Sequence, residues 1–278
     1  MLSTLGSAMS IGYICNKMLL SFLNVEMSIF IWFLFGSLFN LAYLLLSKRI
    51  DEIKMIIKSW RKILMVGFFT NLGAILWFYG TLMEDPTNVA FIFQFSRIFI
   101  ALIGIFIFGE RLKTSEYFGV ILAFIGGLIL TYTGEEAKVL NSLILFTSAF
   151  SYAMTHILAK VYVKDISPPS LAAGRSMIVA GAMLAYALIF GKFKTNIPLE
   201  ALGWASLGAL TAPFLSVTLY YEAYKRIEIS KAAAILSAQP FFTALYMAIL
   251  FSYLPTLKQL ISGSIITLGI LMLTTRKE

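Results

Sequence analysis

The sequence predicts an all-α integral membrane protein, a bundle of ten transmembrane helices. Two observations support this fold class. Hydrophobic residues make up 59% of the 278 residues and charged residues only 13%, whereas charged residues account for about 25% of a typical soluble domain. The apolar residues also fall in long runs, each close to the roughly 20 residues that a helix needs to cross a bilayer. The segments between the runs are too short to hold a water-soluble catalytic domain.

The apolar runs follow one another along the whole chain with few or no charged residues inside them. They cover residues 2–23, 27–47, 63–83, 86–109, 117–134, 139–159, 166–191, 201–221, 232–257 and 259–275. Backbone groups inside a bilayer have no water to bond, so runs of this length are expected to be helices. No basic segment precedes the first run, so we expect it to remain in the mature protein rather than to be cleaved as a signal peptide.

The basic residues predict the orientation. When the N-terminus is placed in the cytoplasm, most of the 22 Lys and Arg residues fall in cytoplasmic connections, where membrane proteins retain them. Both termini are then cytoplasmic. The net charge of +8 is interpreted as topology rather than as a nucleic-acid-binding face. The longest inside connection, residues 48–62, predicts either a short basic helix on the inner leaflet or a solvated loop.

The chain is predicted to hold two copies of a five-helix unit. Residues 1–134 form the first copy, residues 135–138 a short extracytoplasmic linker, and residues 139–278 the second copy. Aligning Gly126 with Gly269 keeps further small and aliphatic residues of the two halves in register. Because five is odd, the second copy enters the membrane from the opposite side. Inverted repeats of this kind form many secondary carriers around a site near the bilayer midplane.

Several stretches are shared with one family of permeases. Gly109-Glu110-Arg111-Leu112 closes the fourth run, Gln239-Pro240-Phe241-Phe242-Thr243-Ala244-Leu245 lies in the ninth, and a tyrosine-containing stretch from Tyr220 to Tyr224 ends the eighth. On these stretches the chain resembles the EamA-like ten-helix permeases of the drug/metabolite transporter superfamily over essentially its whole length. The resemblance implies a metabolite carrier, often an exporter, in the inner or plasma membrane of a prokaryotic cell, with a central cavity between the two repeats.

The sequence departs from the family pattern at two places. Arg97 stands where the first repeat of the family usually has proline, although its repeat partner is Pro240. Residues 252–255 read Ser-Tyr-Leu-Pro where the second repeat often carries glutamate. Roles tied to those family positions are therefore not transferred to this chain.

Arg97 and Arg175 are the charged residues predicted deepest in the membrane. A charge near the bilayer centre costs about 2.5–3.5 kcal/mol even on lenient insertion scales, so such a residue usually faces the bundle interior. Both are therefore candidates to line a substrate cavity, the alternative for each being a structural residue held by carbonyl or acidic partners. If both face one cavity, their planar guanidinium groups favour an anionic or zwitterionic ligand such as a carboxylate or phosphate.

Uncharged polar residues complete the predicted cavity. Gln94 lies three residues before Arg97, and this spacing places both side chains on one helix face. Gln239 adjoins Pro240 in the repeat-related ninth run. The remaining candidates are Ser96, Asn16, Asn40, Asn71, Trp77, Tyr79, Tyr220 and Tyr221. The amides are equally compatible with structural hydrogen bonds between helices.

Glu222 and His156 are the candidates for binding a coupling proton, because a partly buried carboxyl group and a histidine can both titrate near neutral pH. The alternatives are an ion pair of Glu222 with Lys225 or Arg226, and a packed, hydrogen-bonded His156. No metal site is predicted.

The sequence lacks the parts that catalysis requires. It has one Cys and one His, no HExxH motif, no paired carboxylates within a run and no Walker A motif. No enzymatic activity and no cofactor are expected. The expected partners are a small-molecule substrate and the lipid bilayer, with no nucleic acid, and a monomer is compatible with the sequence. A channel, a scramblase-like facilitator and a broad drug efflux permease remain alternatives to an alternating-access carrier.

Overall fold

The computed structural model describes residues 2–108, 114–131, 136–226 and 237–274, and these residues form a helical bundle with no strand. The helices are α1 (Leu2–Leu20), α2 (Val25–Leu46), α3 (Ile50–Lys58), α4 (Trp60–Met83), α5 (Pro86–Phe93), α6 (Phe95–Phe108), α7 (Thr114–Thr131), α8 (Glu136–Tyr162), α9 (Pro168–Ile189), α10 (Leu199–Ala209), α11 (Val217–Arg226), α12 (Gln239–Phe251) and α13 (Leu257–Thr274). Seven helical segments of the described chain are long and apolar enough to cross a membrane. The all-α fold and its membrane-spanning character are therefore confirmed, whereas ten membrane crossings and the position of the termini stay a prediction.

Several helix starts follow from local sequence. The Asn24 side chain accepts a hydrogen bond from the backbone N–H of Met27 at the start of α2. The Asp85 carboxylate accepts from the N–H groups of Thr87 and Asn88 at the start of α5, and Pro86 takes the first helical position. Side-chain caps and a first-turn proline are both favoured there because the first N–H groups of a helix have no partner within the helix.

Two of the predicted runs are not continuous α-helices. The fourth run breaks at Gln94, whose N–H bonds to the carbonyl of Phe91 rather than to a residue four positions back. The eighth run contains a π-helical turn over Leu210–Ser216, between α10 and α11, with Pro213 inside it. Proline has no N–H and clashes with the preceding turn, which explains why the regular ladder is interrupted there.

The remaining boundaries differ from the sequence-based ranges by a few residues. Residues 237 and 238 form a turn before α12, and residues 232–236 of the ninth run lie outside the described part. Residues 136–138 of the predicted linker belong to the start of α8. Residue 135 and the Gly109–Leu112 stretch also lie outside the described residues.

Small residues allow the helices to approach closely where they cross. A Cβ atom added at Gly269 would lie 2.5 Å from the carbonyl oxygen of Gly119, and one added at Gly126 would lie 2.9 Å from that of Ser262. The crossing of α7 and α13 is therefore close enough to bring backbone against backbone. Packing of this kind is typical of membrane helices, because lipid tails leave little hydrophobic driving force between them.

The two ends of the bundle carry different polar contacts. At one end, Lys62 at the start of α4 pairs with Asp165 in the connection between α8 and α9, at 2.5 Å. The helix predicted within residues 48–62 is present at this end as α3, with no buried residue. At the opposite end, the ammonium group of Lys17 donates to the carbonyls of Thr81 and Glu84 at the end of α4, both at 2.8 Å. A cation is favourable there because the last carbonyls of a helix lack partners.

Candidate functional site

A cavity of about 60 Å³ lies between both halves of the chain, where α1, α2, α4, α8 and α9 meet the π-helical turn. Aromatic residues form most of its wall, namely Tyr13, Trp32, Phe33, Trp77, Phe93 and Tyr152. Its polar lining includes Arg175 and His156, and Pro213 contributes from the π-helical turn. We refer to this space as the central cavity. Its volume holds a few water molecules, which is less than the about 300 Å³ of a typical ligand site.

Arg175 places a positive charge in the central cavity. The residue is on α9, only 3% exposed, and its guanidinium carbon lies 5.8 Å from the ring centroid of Tyr221. The Nε atom of Arg175 and the hydroxyl group of Tyr221 are both buried without a hydrogen-bond partner. Within the part of the chain that the structure describes, no carboxylate forms an ion pair with Arg175.

Arg97 lies beside the central cavity and joins the two halves of the chain. It is 6% exposed, and its Nη2 donates to Oε1 of Gln239 at 2.5 Å. Its Nε is buried without a partner. The described residues offer Arg97 no acidic partner either. Its closest electrostatic neighbours include the phenol groups of Tyr220 and Tyr13, and Tyr13 also lines the central cavity.

Gln94 and Gln239 hold the helix break at Gln94 against the start of α12. The Nε2 of Gln94 donates to the backbone carbonyl of Ser237, and the hydroxyl of Ser10 on α1 donates to the backbone carbonyl of Gln239. Gln94 and Arg97 therefore both face the start of α12, as their spacing suggested. The Oε1 of Gln94 and the Nε2 of Gln239 remain buried without partners.

His156 lies within electrostatic reach of both arginines. Its ring lines the central cavity, and its Nδ1 shares a hydrogen bond of 2.9 Å with the hydroxyl of Tyr224. The structure thus brings Arg97, Arg175, Gln94, Gln239, Tyr220 and His156 into one interior region.

The other predicted residues lie elsewhere or make other contacts. Tyr79 is 42% exposed, and its hydroxyl donates to Glu26 at 3.2 Å. Glu222 forms ion pairs with Arg226 at 3.3 Å and Lys225 at 3.8 Å. This is the alternative to a coupling role that the sequence predicts for Glu222. Ser96 is buried, and Asn71 is half-buried with an unpartnered side-chain oxygen. Of the residues predicted to line a substrate cavity, Arg175 and Trp77 line the central cavity, whereas the others are not part of its wall: Arg97, Gln94, Gln239, Tyr220, Tyr221, Tyr79, Ser96, Asn16, Asn40 and Asn71.

Sequence reasoning missed most of the aromatic wall and the π-helical turn. Tyr13, Trp32 and Tyr152 carry no charge, so hydropathy does not separate them from lipid-facing aromatics. Pro213 inside an apolar run was an available signal, because an interior proline interrupts a helix and such interruptions in membrane proteins occur where neighbours or a cavity satisfy the freed backbone groups.

Comparison with known proteins identifies the family. The chain matches the model of the EamA-like transporter family over residues 1–132 and again over residues 140–275. It belongs to that family. An uncharacterized transporter of Methanothermobacter thermautotrophicus is 24% identical over 210 residues, which are 73% of this chain and 61% of the archaeal protein. The chain therefore spans about three fifths of that relative.

Two further similarities agree with this assignment. The uncharacterized transporter YyaM of Bacillus subtilis is 27% identical over 206 residues, 70% of this chain and 67% of the bacterial protein. A crystal structure of a protein with 14% identity superposes with a TM-score of 0.73, covering 98% of this chain and 96% of the other. At that identity the superposition supports the fold alone. Both relatives are named transporters, and the family to which the chain belongs is described as a transporter family.

Proposed function

We propose that this EamA-like transporter is a secondary carrier, working as an exporter, that moves a small anionic or zwitterionic metabolite across the membrane by alternating access. One observation carries the proposal: Arg175 lines the central cavity and Arg97 is buried beside it, and neither has an acidic partner among the described residues. Two uncompensated guanidinium groups in a dry interior are costly, and an anionic ligand offsets that cost.

Unused hydrogen-bond donors around the central cavity favour the same substrate class. The Nε atoms of both arginines and the indole N–H of Trp77 are buried without partners. A carboxylate or phosphate group accepts several hydrogen bonds at once, and bonds to charged groups are the stronger ones. The aromatic wall would then contact the apolar part of the substrate.

The architecture that we propose is ten membrane helices in two inverted five-helix repeats, residues 1–134 and 139–278, with both termini in the cytoplasm of a prokaryotic cell. Its support is a pattern of paired contacts. Three helices of the first half pack on the helix that occupies the same place in the second half: α2 on α9, α7 on α13, and α5 on α12. The other two contacts are equivalent to each other. Helix α4, the third run, packs on α8, the sixth run, and the eighth run packs on α1, the first run. A two-fold axis in the membrane plane generates this pattern.

The small volume of the central cavity is consistent with alternating access. A metabolite does not fit into about 60 Å³, so the helices must separate to admit one. The break at Gln94 and the π-helical turn at Leu210–Ser216 are the points where the interior helices depart from regular geometry. We expect the bending that opens the cavity to occur there, because interrupted helices concentrate backbone changes at a few residues.

The substrate class is tested by ligand binding to purified full-length protein. Panels of carboxylates, phosphorylated sugars, amino acids and cationic drugs are compared by thermal stabilisation, because a ligand of the folded state raises apparent stability. We expect an acidic or zwitterionic ligand to bind, and Arg97→Gln and Arg175→Gln each to weaken binding by about tenfold or more, the value of one charge-assisted hydrogen bond. Lys225→Gln removes a charge outside the cavity and serves as the control.

Transport by alternating access is tested separately by counterflow in proteoliposomes. A carrier takes up labelled ligand faster when the vesicle contains unlabelled ligand, whereas a channel or scramblase-like facilitator does not. Binding of cationic drugs that is unchanged in both arginine variants would instead indicate a broad drug efflux permease and would overturn the proposed substrate class.

We infer that any proton exchange that accompanies transport uses His156 rather than Glu222 and takes place while the anionic substrate is bound, because the charges of Arg175 and Arg97 disfavour a protonated His156 when no anion is present. His156 lines the central cavity. Glu222 lies outside the wall of this cavity and forms ion pairs with Lys225 and Arg226. Uptake driven by an imposed pH gradient is expected to be lost in His156→Gln and kept in Glu222→Gln. The reverse result would assign the coupling to Glu222.

A further inference from the structure

A second cavity opens at the end of the bundle that holds α3 and the ion pair of Lys62 with Asp165, away from the central cavity. Its volume is about 580 Å³, and it lies between α3, the start of α4 and the connection between α8 and α9. Lys58, Arg61 and Lys62 contribute three positive charges to its wall, and Asp165 contributes one negative charge. We refer to it as the basic pocket. Its size falls within the range of sites that bind small molecules.

The charges of the basic pocket are not balanced within the described chain. Asp165 is engaged by Lys62 at 2.5 Å, and this bond holds the pKa of the Asp165 carboxyl below its usual range. Lys58 and Arg61 form no ion pair with any described residue. The guanidinium carbon of Arg61 lies 5.4 Å from the ring centroid of Trp60, so the pocket joins two cations and an exposed aromatic ring.

An apolar strip runs from the basic pocket along α4. Trp60, Leu64, Phe68 and Leu72 repeat every four residues and are all exposed. Residues at this spacing lie on one face of a helix. Helix α4 is long and apolar enough to cross a membrane directly after the pocket, and in such a crossing this exposed face contacts lipid. Ile57, which is 78% exposed, adds an apolar contact on α3.

We propose that the basic pocket binds the headgroup of an anionic glycerophospholipid. The phosphate lies against Lys58 and Arg61, and the acyl chains follow the strip that begins at Trp60. Charge complementarity accounts for the headgroup, because juxtamembrane basic residues attract anionic lipids. The continuous apolar strip favours a lipid over a free phosphate ion, because a free phosphate ion has no apolar part to contact the strip. The proposal needs only that the chain lies in a membrane and does not depend on the transported substrate.

Helix α3, which forms part of the wall of the basic pocket, packs against the segment of α9 that lines the central cavity. The hydroxyl of Ser170 on α9 donates to the backbone carbonyl of Glu52 on α3 at 2.8 Å. A Cβ atom added at Gly174, the neighbour of Arg175, would lie 3.2 Å from Ile56 of α3 and 2.8 Å from Ile63 of α4. The elements that form the basic pocket therefore pack directly against the part of α9 that carries Arg175.

The test measures lipid binding to the full-length protein in neutral detergent by native mass spectrometry. Short-chain phosphatidylglycerol is compared with phosphatidylcholine of the same chain length and with inorganic phosphate. We expect phosphatidylglycerol to bind at least tenfold more tightly than phosphatidylcholine. The double variant Lys58→Gln/Arg61→Gln should lose roughly 30-fold in affinity, which corresponds to two basic residues near an anionic lipid.

The matched control is Lys225→Gln/Arg226→Gln, which removes the same charge from the same end of the bundle but outside the basic pocket. It should bind phosphatidylglycerol as the unmodified protein does. Equal losses in both double variants would show a general surface effect and overturn the site. Displacement of the lipid by inorganic phosphate at similar concentration would overturn the lipid assignment. If a double variant melts lower in neutral detergent alone, the single change Lys58→Gln replaces it, with about a fivefold loss expected.

Discussion

The side chain of Gln94 donates a hydrogen bond of 2.5 Å to the backbone carbonyl of Ser237, and these residues are 143 positions apart. The same separation relates Gly126 to Gly269 and Gly119 to Ser262, the residues at which α7 and α13 cross. Each half of the chain therefore contacts the other at equivalent positions. This is the contact pattern of a two-fold relation and the strongest geometric support for the proposed repeats.

Replacing Gln94 by leucine should lower the free energy of unfolding by about 1 kcal/mol, because one buried interhelical hydrogen bond is lost. The hydroxyl of Thr267 is a second donor near the same carbonyl, at 3.4 Å, and limits the loss. Asn16→Leu is the control. Both polar atoms of that buried amide lack partners, so its removal should leave stability unchanged or raise it. Denaturant titration in mixed micelles checks both variants, and equal losses would contradict the assigned roles.

The sequence predicted the interior charges better than the interior aromatics. Arg97 and Arg175 could be assigned to the bundle interior because a charge facing lipid is costly. No such cost separates Tyr13, which lines the cavity, from Tyr79, which is largely exposed. Lipid tails are as apolar as a protein core, so an aromatic residue is accepted on either side of a membrane helix.

Helix interruptions were the other feature that hydropathy could not predict. The fourth and eighth runs are as apolar as the rest, yet one breaks at Gln94 and the other contains a π-helical turn. A residue distant in the sequence also bonds the π-helical turn, because the Asn40 amide on α2 donates to the carbonyl of Pro213 at 3.4 Å. A single-sequence pattern contains no information about which distant side chain satisfies a freed carbonyl.

A double-mutant cycle should detect the bond between Arg97 and Gln239. The Nη2 of Arg97 donates to Gln239 at 2.5 Å in the buried interior, and hydrogen bonds to charged groups contribute about 1.5–3 kcal/mol. The coupling energy from Arg97→Met, Gln239→Leu and the double variant is therefore expected to fall in that range. A cycle between Arg97 and Leu199, which is exposed at the start of α10, should give less than about 0.5 kcal/mol. Similar couplings in both cycles would argue against a direct bond.

Asp85 should make stability depend on pH in a defined direction. Burial raises the pKa of its carboxyl above the usual value, although bonds from the N–H groups of Asn88 and Thr87 oppose the rise. A raised folded-state pKa means that stability is lost as pH rises from the unfolded-state pKa through the folded-state pKa. Asp85→Asn keeps a capping oxygen but does not ionise, so it should not lose stability as pH rises. The difference in stability between Asp85→Asn and the unmodified protein should therefore shift in favour of Asp85→Asn from pH 3 to pH 7.

The variant Asp85→Ala separates the contribution of the helix cap to stability from the contribution of the carboxylate charge. It lacks the capping oxygen at every pH, so it should be less stable than Asp85→Asn by about 0.5–2 kcal/mol. Melting curves of the three proteins from pH 3 to pH 8 provide the comparison. A stability of the unmodified protein that rises across this range relative to Asp85→Asn would contradict the direction of the pKa shift.

Gly269→Ala tests the close crossing of α7 and α13. A Cβ atom at this position would lie 2.5 Å from the carbonyl oxygen of Gly119 and 2.6 Å from the backbone nitrogen of Ala123. Both are backbone atoms, so the clash cannot be relieved by rotating a side chain, and the helices must move apart. We expect a loss of about 1–3 kcal/mol in unfolding free energy, the usual cost of overpacking.

The control for this crossing is Gly203→Ala within α10. Apart from its chain neighbours and the backbone of its own helix, no atom lies within 4 Å of a Cβ placed there, and alanine is favoured over glycine inside a helix by about 0.5–1 kcal/mol. Gly203→Ala is therefore expected to raise stability while Gly269→Ala lowers it, so the two identical chemical changes should shift the melting temperature in opposite directions. A rise in stability in both would mean that α7 and α13 do not cross at Gly119 and Gly269, and the paired contacts that support the two-fold relation would lose their main example.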